Sequence, residues 1–245
     1  MLQPVLQRKA LHWLWPEVCA HCREDLPEDA LSPLCLGCRL KLLPNEPPCC
    51  QRCAEPGASG RAHCGRCDGR LFACQLIRAA FRYEEAAISM VHSFKFRGRR
   101  EAARAAGSWM AEALPRLPEL GRPDALVPMP LHPRRRRERG YNQAELLAEG
   151  LSQAALAPVQ ELARRMRETK PLWALRREQR ERELRDAFAC PQPERVAGKR
   201  LWIIDDVCTS GASLEGCARA LLEAGAASVR GFVFARQAKG LLINK

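Results

Sequence analysis

Four Cys-x-x-Cys pairs follow one another within the first 70 residues, and they constrain the fold more than any other feature of the chain. The pairs are Cys19/Cys22, Cys35/Cys38, Cys50/Cys53 and Cys64/Cys67. Two such pairs supply four thiolates, which suits a closed tetrahedral zinc site of the structural kind. Ten of the thirteen cysteines precede residue 75. The N-terminal part is therefore predicted to be a module of loops held together by metal.

Eight cysteine ligands imply two structural zinc ions. Sequential pairing assigns one ion to Cys19, Cys22, Cys35 and Cys38 and the other to Cys50, Cys53, Cys64 and Cys67. Cross-brace pairing remains an alternative, and an iron–sulfur cluster is the alternative to zinc. The module offers almost no apolar core, so we expect metal binding and folding to be coupled.

Length and composition indicate one larger domain and one small one. The chain has 245 residues, of which 47% are apolar. No apolar run approaches the roughly 18 residues that a membrane-spanning helix needs, and the N-terminus lacks a signal-peptide core. We therefore predict a cytoplasmic protein with an N-terminal helix and double zinc ribbon at residues 1–73 and a second domain at residues 74–245.

The positive charge of the chain belongs almost entirely to the second domain. Residues 75–245 carry +11 of the total net charge of +12. This excess suggests an anionic ligand or partner there. The alternative is that most of the arginines lie on solvated faces.

Strand and helix patterns alternate in the second domain. Leu201–Ile204 is an apolar run that predicts a buried strand, which Asp205 and Asp206 are expected to end. A helix at residues 214–224 and a strand at 229–235 complete a βαβ unit with a parallel sheet. Upstream patterns predict strands at residues 74–83, 124–128 and 159–163, and helices at 84–96, 101–114 and 141–157.

A loop of small residues opens the helix of this βαβ unit. Its residues are Thr209, Ser210, Gly211, Ala212 and Ser213. Small residues leave backbone amides accessible, and a helix N-terminus favours an anion. Asp205 and Asp206 precede the loop at the carboxyl end of a parallel strand, where open α/β sheets bind ligands. Phosphate on the loop and a sugar diol on the acids would describe a phosphorylated ribose.

Two familiar nucleotide-binding motifs do not fit this loop. The chain contains no G-x-x-x-x-G-K-[ST] segment and no G-x-G-x-x-G segment after a strand. The sequence therefore disfavours a P-loop ATPase and a dinucleotide-binding domain. The alternative to a sugar-phosphate site is that Ser210 or Ser213 only caps the helix and that Asp205 and Asp206 are solvated.

The order of motifs resembles a known family. LWIIDDVCTSGAS at residues 201–213 is similar to the signature with which type I phosphoribosyltransferases bind 5-phosphoribosyl 1-pyrophosphate (PRPP). VPMPLH at 127–132, RGYNQ at 139–143, FKFRG at 94–98 and the cysteine pairs in front extend the likeness to the ComF family. That family includes ComFC-type and GntX-type proteins. The resemblance implies an α/β fold: a parallel-sheet, type I phosphoribosyltransferase-like domain preceded by the small four-cysteine zinc-ribbon module.

The resemblance also implies roles for individual residues. Asp205 and Asp206 would be the catalytic pair that holds the ribose hydroxyls, and residues 209–213 would bind the 5-phosphate. Residues 139–143 would lie in a flexible loop that covers the site. Mg²⁺ would bind together with PRPP. The residues expected to meet the pyrophosphate are Pro128, Met129, Pro130, Lys95, Arg97 and Arg139.

Three function hypotheses follow. The first is a phosphoribosyltransferase with an unsettled acceptor, linked by the resemblance to incoming single-stranded DNA in natural transformation and to other competence proteins. The second is a module that binds PRPP or a nucleotide without turnover. The third is a single-stranded nucleic-acid adaptor, whose phosphate contacts would come from residues 134–139 and from residues 164–185 of the basic stretch at 164–186.

Overall fold

Four parallel strands form the central sheet of the second domain. The computed structural model describes residues 17–27, 30, 32–57, 62–167 and 187–238. In chain order the strands are β1 (Leu76–Arg82), β2 (Ala125–Pro128), β3 (Arg164–Arg165), β4 (Phe188–Ala189), β5 (Arg200–Cys208) and β6 (Ser228–Arg236). The central sheet has the order β1–β6–β5–β2. Strands β3 and β4 form a separate antiparallel pair.

Helices cover both faces of the central sheet. They are α1 (Leu36–Arg39), α2 (Glu85–Phe96), α3 (Arg100–Ala113), α4 (Pro133–Arg139), α5 (Gln143–Ala155) and α6 (Ala212–Glu223). Helices α2, α3 and α5 share one apolar core with a face of the sheet, and α6 shares a second core with the opposite face. Burial on both faces explains why the strands are nearly continuous apolar runs.

The predicted elements of the βαβ unit lie where the sequence indicated, with one correction. The prediction that Asp205 and Asp206 end their strand is wrong, because β5 continues to Cys208. Strand β6 supplies the reason: it provides ladder partners for Val207 and Cys208 as far as its own last residue, Arg236. Of the strand predicted at 159–163, only Val159 pairs, through an isolated parallel bridge to β2.

Helices α3 and α5 cross at two glycines. A Cβ atom on Gly107 would lie 2.3 Å from the backbone oxygen of Leu147, and one on Gly150 would lie 2.5 Å from the backbone oxygen of Arg104. Both obstacles are helix backbone, which cannot rotate away as a side chain can. The absence of side chains at these two positions therefore permits the close packing of α3 against α5.

The zinc-ribbon module is built onto the β1 edge of the sheet. The amide of Asn45 donates to the carbonyl of Ala80 at 3.1 Å, and the amide of Arg82 donates to Leu43 at 2.8 Å. This short antiparallel pairing covers an edge strand that would otherwise expose unpaired backbone groups. Cysteines of the first ribbon join the core under α2 and α3, whereas those of the second join the core under α6.

Two predicted segments lie outside the described residues. These are the N-terminal helix, residues 1–16 of which are not described, and residues 168–186 of the basic stretch. Within the described ranges, no helix has both the length and the apolar character needed to cross a bilayer.

Candidate functional site

The eight predicted metal ligands come together in two groups of four. Cys19, Cys22, Cys35 and Cys38 form the first cluster, and Cys50, Cys53, Cys64 and Cys67 form the second. Within each cluster the sulfur atoms lie within 4.8 Å of one another. The clusters match the sequential pairing and not the cross-brace. His21, which lies inside the first pair, instead contacts the hydroxyl of Ser89 at 2.9 Å through Nδ1.

The geometry of both clusters fits zinc. Zinc–sulfur bonds of about 2.3 Å in a tetrahedron place sulfur atoms about 3.8 Å apart, whereas a disulfide would bring them to about 2.05 Å. The Sγ atoms of Cys22 and Cys35 are 3.7 Å apart, and those of Cys53 and Cys64 are 3.6 Å apart. In each cluster the amide of the third cysteine donates to the sulfur of the first, at 3.4 Å and 3.3 Å. Two four-thiolate sites of the structural kind are therefore present.

The small-residue loop lies at the start of α6, at the carboxyl edge of the sheet. Thr209 is exposed and residues 210–213 are partly exposed, so the loop is accessible to a ligand. Gly211 has φ of +80° and is the N-cap of α6, a left-handed conformation that favours glycine. The Ser210 hydroxyl accepts the amide of Ala212 at 3.3 Å. The first turn of a helix leaves amides without intrahelical acceptors, which is the basis of anion binding at such a position.

Asp205 and Asp206 point to opposite faces of the sheet, because both lie inside β5 and side chains alternate along a strand. Asp205 follows Ile203 toward the core under α6, and its Oδ1 accepts the amide of Asp206 at 2.8 Å. Burial, together with the neighbouring Asp206 charge, raises the pKa of Asp205 to about 7. Asp206 follows Ile204 toward α2 and is 3% exposed. The two acids therefore have different environments.

Lys95 compensates the buried charge of Asp206. Its Nζ lies 2.6 Å from Asp206 Oδ1, so the last turn of α2 reaches the carboxyl end of β5. The other oxygen, Oδ2, is buried and has no hydrogen-bond partner among the described residues. An unpaired acceptor beside an accessible loop fits a sugar hydroxyl or an oxygen-seeking cation such as Mg²⁺.

Tyr83 and Arg139 complete the surroundings of Asp206. Burial raises the pKa of Tyr83 to about 12, and the charge of Asp206 adds to the shift. Arg139 ends α4 and donates to the side chain of Gln143. Burial lowers the pKa of Arg139, and the charge of Asp206 opposes that shift. Sequence reasoning did not identify Tyr83, although the predicted strand at residues 74–83 ended on it.

The segment at residues 139–143 is packed into the protein, contrary to the expectation of a loop over the site. Tyr141, Asn142 and Gln143 are buried. The Tyr141 hydroxyl donates to the carbonyl of Phe94, and Asn142 caps α5 by accepting the amide of Ala144 at 3.1 Å. Aromatic and capping contacts therefore hold the segment in place.

The remaining predicted residues lie at two other positions. Pro128, Met129 and Pro130 are buried at the end of β2, where Met129 donates its amide to Ile204 at 2.8 Å. A cavity of about 370 Å³ adjoins them, lined in part by Pro128 and Pro130. Arg97 is exposed at the C-terminus of α2, two residues after Lys95.

Arg236 is a residue of the site that sequence reasoning missed. It is the last residue of β6 and is 1% exposed. Its guanidinium donates to the carbonyls of Cys208 and Thr209, at 2.7 Å and 2.5 Å, and thus to the start of the small-residue loop. In the sequence, Arg236 is only an arginine that follows an apolar run. This pattern does not distinguish a buried arginine that contacts the small-residue loop from a solvated arginine at the end of a strand.

A parallel sheet with an accessible small-residue loop after an acidic strand, together with two four-cysteine clusters in the preceding segment, defines a phosphoribosyltransferase-like protein with a double zinc ribbon. Family models agree: the double zinc ribbon domain matches residues 10–68, and the phosphoribosyl transferase domain matches residues 136–242. The fold class expected from the sequence is confirmed.

The chain belongs to the ComF family. It is 32% identical over 221 residues to DNA utilization protein YhgH of Salmonella typhimurium, covering 88% of this chain and 95% of that protein. Competence protein F of Haemophilus influenzae is 28% identical, with 89% and 96% covered. Competence protein ComFC of Bacillus subtilis is 31% identical, with 89% and 95% covered. The family expected from the motifs is therefore confirmed.

Proposed function

We propose that this chain binds PRPP with Mg²⁺ at the carboxyl edge of its sheet and transfers the phosphoribosyl group to an acceptor, as part of single-stranded DNA handling in the cytoplasm. The observation that carries the proposal is the accessible loop at residues 209–213, set at a helix N-terminus just after the strand that contains Asp205 and Asp206. A cytoplasmic location suits a thiolate-rich module, since thiols stay reduced there.

The proposed pose follows from the charges of the site. The 5-phosphate would accept hydrogen bonds from the loop amides and hydroxyls, and the ribose hydroxyls would donate to Asp206 Oδ2 and to Asp205. Lys95, Arg97 and Arg139 would lie toward the pyrophosphate with the Pro128–Pro130 segment. Mg²⁺, which prefers oxygen ligands, would neutralise charge on the pyrophosphate leaving group.

The chemical step needs little from the protein beyond position and charge. The bond from the anomeric carbon to the pyrophosphate oxygen would break with its electron pair leaving on pyrophosphate. A nucleophile on the acceptor, such as a ring nitrogen of a nucleobase, would form the new bond to that carbon and release its proton. Fixed charges near the developing sugar cation and the leaving group would supply most of the rate enhancement.

The link to DNA is supported by the names of the relatives and by the charge beside the site. Relatives that match most of this chain are a DNA utilization protein and two competence proteins. Helix α4 carries four consecutive arginines, Arg134–Arg137, all exposed, and ends at Arg139 in the site. Exposed arginines in a row suit the phosphates of a nucleic-acid strand.

Calorimetric titration of PRPP with Mg²⁺ tests the donor site. We expect the wild-type chain to bind and the Asp205→Asn/Asp206→Asn variant to lose binding by at least tenfold. Asp124→Asn is the matched control, because Asp124 lies at the opposite end of the sheet, beside Arg200 at the start of β5. Equal binding by the wild type and the double variant would remove the donor site from this edge of the sheet.

Pyrophosphate release tests the transfer. Wild-type protein with PRPP, Mg²⁺ and a panel of nucleobases and single-stranded oligonucleotides should release pyrophosphate in the presence of its acceptor. PRPP binding without release from any acceptor would leave a binding module and would refute the transfer step.

A further inference from the structure

The second zinc cluster is connected to the phosphate loop through one buried side chain. Besides the carbonyls of Cys208 and Thr209, the Arg236 guanidinium donates through Nε to the carbonyl of Cys53 at 2.9 Å. Cys53 is a ligand of the second cluster. The same guanidinium forms an ion pair with Glu55, which is also buried. Arg236 thus bridges a zinc-ligating residue and the first residues of the loop.

The other end of the loop is fixed to the segment that follows the same ribbon. Glu215, in the first turn of α6, accepts the amides of Ala73 and Cys74 through its two carboxylate oxygens, at 2.7 Å and 3.0 Å. These amides belong to the segment that leads out of the second ribbon. A second arginine, Arg66, lies between two ligands of the cluster and pairs with Glu55. One flank of the small-residue loop is therefore held by the second ribbon, and the other by the segment that follows it.

The small-residue loop has few contacts that could fix its own conformation. Thr209, Ser210 and Gly211 have small side chains and little packing of their own, so their conformation is set by the residues that anchor them. A buried guanidinium presents five donors in a fixed plane, so it transmits the position of Cys53 and Glu55 to the carbonyls of the loop. Zinc sets that position, because metal ligation and folding of a ribbon are coupled.

We infer that the second zinc cluster holds the phosphate-binding loop in its binding conformation through Arg236, so that the ribbon is a working part of the sugar-phosphate site. Arg236 is then a positioning residue, since it acts through the loop. The inference rests on the proposed function for the identity of the ligand, but its claim about the loop can be measured without one.

The ligand test compares Arg236→Met with Arg230→Met by calorimetry. Arg230 is a matched control on the same strand, because it also donates to backbone carbonyls, those of Glu119 and Leu120, at the opposite end of the sheet. For Arg236→Met we expect at least tenfold weaker binding of ribose 5-phosphate and unchanged binding of Mg²⁺–pyrophosphate, with two zinc ions retained per chain. Equal weakening of both ligands would mean a general structural defect and would overturn the inference.

Hydrogen exchange of the loop amides tests the zinc connection directly. Cys64→Ser, which empties the second cluster, and Arg236→Met should both accelerate exchange at residues 209–212. Cys35→Ser, which empties the first cluster, should not. If Arg236→Met does not fold, Arg236→Lys replaces it in this test. Its single ammonium group cannot reproduce the planar set of guanidinium donors, so the same acceleration of exchange is expected.

The two possible failures are distinguishable. If wild-type protein binds neither ribose 5-phosphate nor PRPP, the proposed function fails, whereas accelerated exchange in Cys64→Ser and Arg236→Met still supports the zinc-to-loop connection. If ligands bind and loop exchange is the same in all variants, the connection is refuted and the proposed function stands.

Discussion

Replacing Lys95 by methionine isolates the charge that compensates Asp206. The two charged atoms are 2.6 Å apart, and Asp206 is almost fully buried. At that distance the Coulomb attraction is about 6 kcal/mol for an effective dielectric constant of about 20. Desolvation offsets part of it, and removing one partner of a buried pair costs about 3–5 kcal/mol. Because 23% of the Lys95 side chain remains exposed, we expect Lys95→Met to lower the free energy of unfolding by about 3 kcal/mol, the lower end of that range.

Thermal and urea unfolding at pH 7.5 provide the assay. A loss of about 3 kcal/mol corresponds to a decrease in Tm of about 6–12 °C for a chain of this length. Asp206→Asn in the Lys95→Met background should recover most of the loss, because no buried charge remains. Lys41→Met, at an exposed lysine, is the control. A cost below about 1 kcal/mol would refute the buried-pair argument.

Three further results are expected. Burial raises the pKa of Asp205 to about 7. If Asp205 must lose its proton to bind the ligand, the affinity for PRPP with Mg²⁺ should fall by up to about tenfold per pH unit below 7. Calorimetry should show a weaker pH dependence for Asp205→Asn than for the wild type. Gly107→Ala should destabilise by about 2 kcal/mol in urea unfolding despite better helix propensity, whereas Gly37→Ala, with no atom within 4 Å, should be nearly neutral. Metal analysis should find two zinc ions per wild-type chain and one in Cys35→Ser; four-thiolate clusters that bind no metal would contradict the ribbon geometry.

The parts of the fold that the sequence predicts are those with a local cause. Apolar runs of strand length, such as Leu201–Ile204, must be buried wherever they lie, and helical spacing identifies α2, α3 and α5 without knowledge of their partners. The cysteine pairs predict zinc because thiolates two residues apart can reach one ion. The end of β5 was not predictable in this way, because its last ladder bonds depend on β6, which lies 20 residues further along the chain.

The parts of the site that sequence reasoning missed have no local cause. The contact of Lys95 with Asp206 joins residues 111 positions apart, and that of Arg236 with Cys53 joins residues 183 positions apart. Tyr83 lies near Asp206 only because β1 ends at the same edge of the sheet as β5. A motif can identify a candidate phosphate-binding loop, but only the folded chain shows which distant side chains contact it.

The arrangement of the two acids explains why the site needs support from both faces of the sheet. Adjacent residues in a strand point to opposite faces, so no single helix can contact Asp205 and Asp206 together. Helix α2, which His21 of the first ribbon contacts at Ser89, brings Lys95 to Asp206. Helix α6, to which the segment after the second ribbon is bound through Glu215, covers the face of Asp205. Cysteines of one ribbon therefore pack against each face of the sheet.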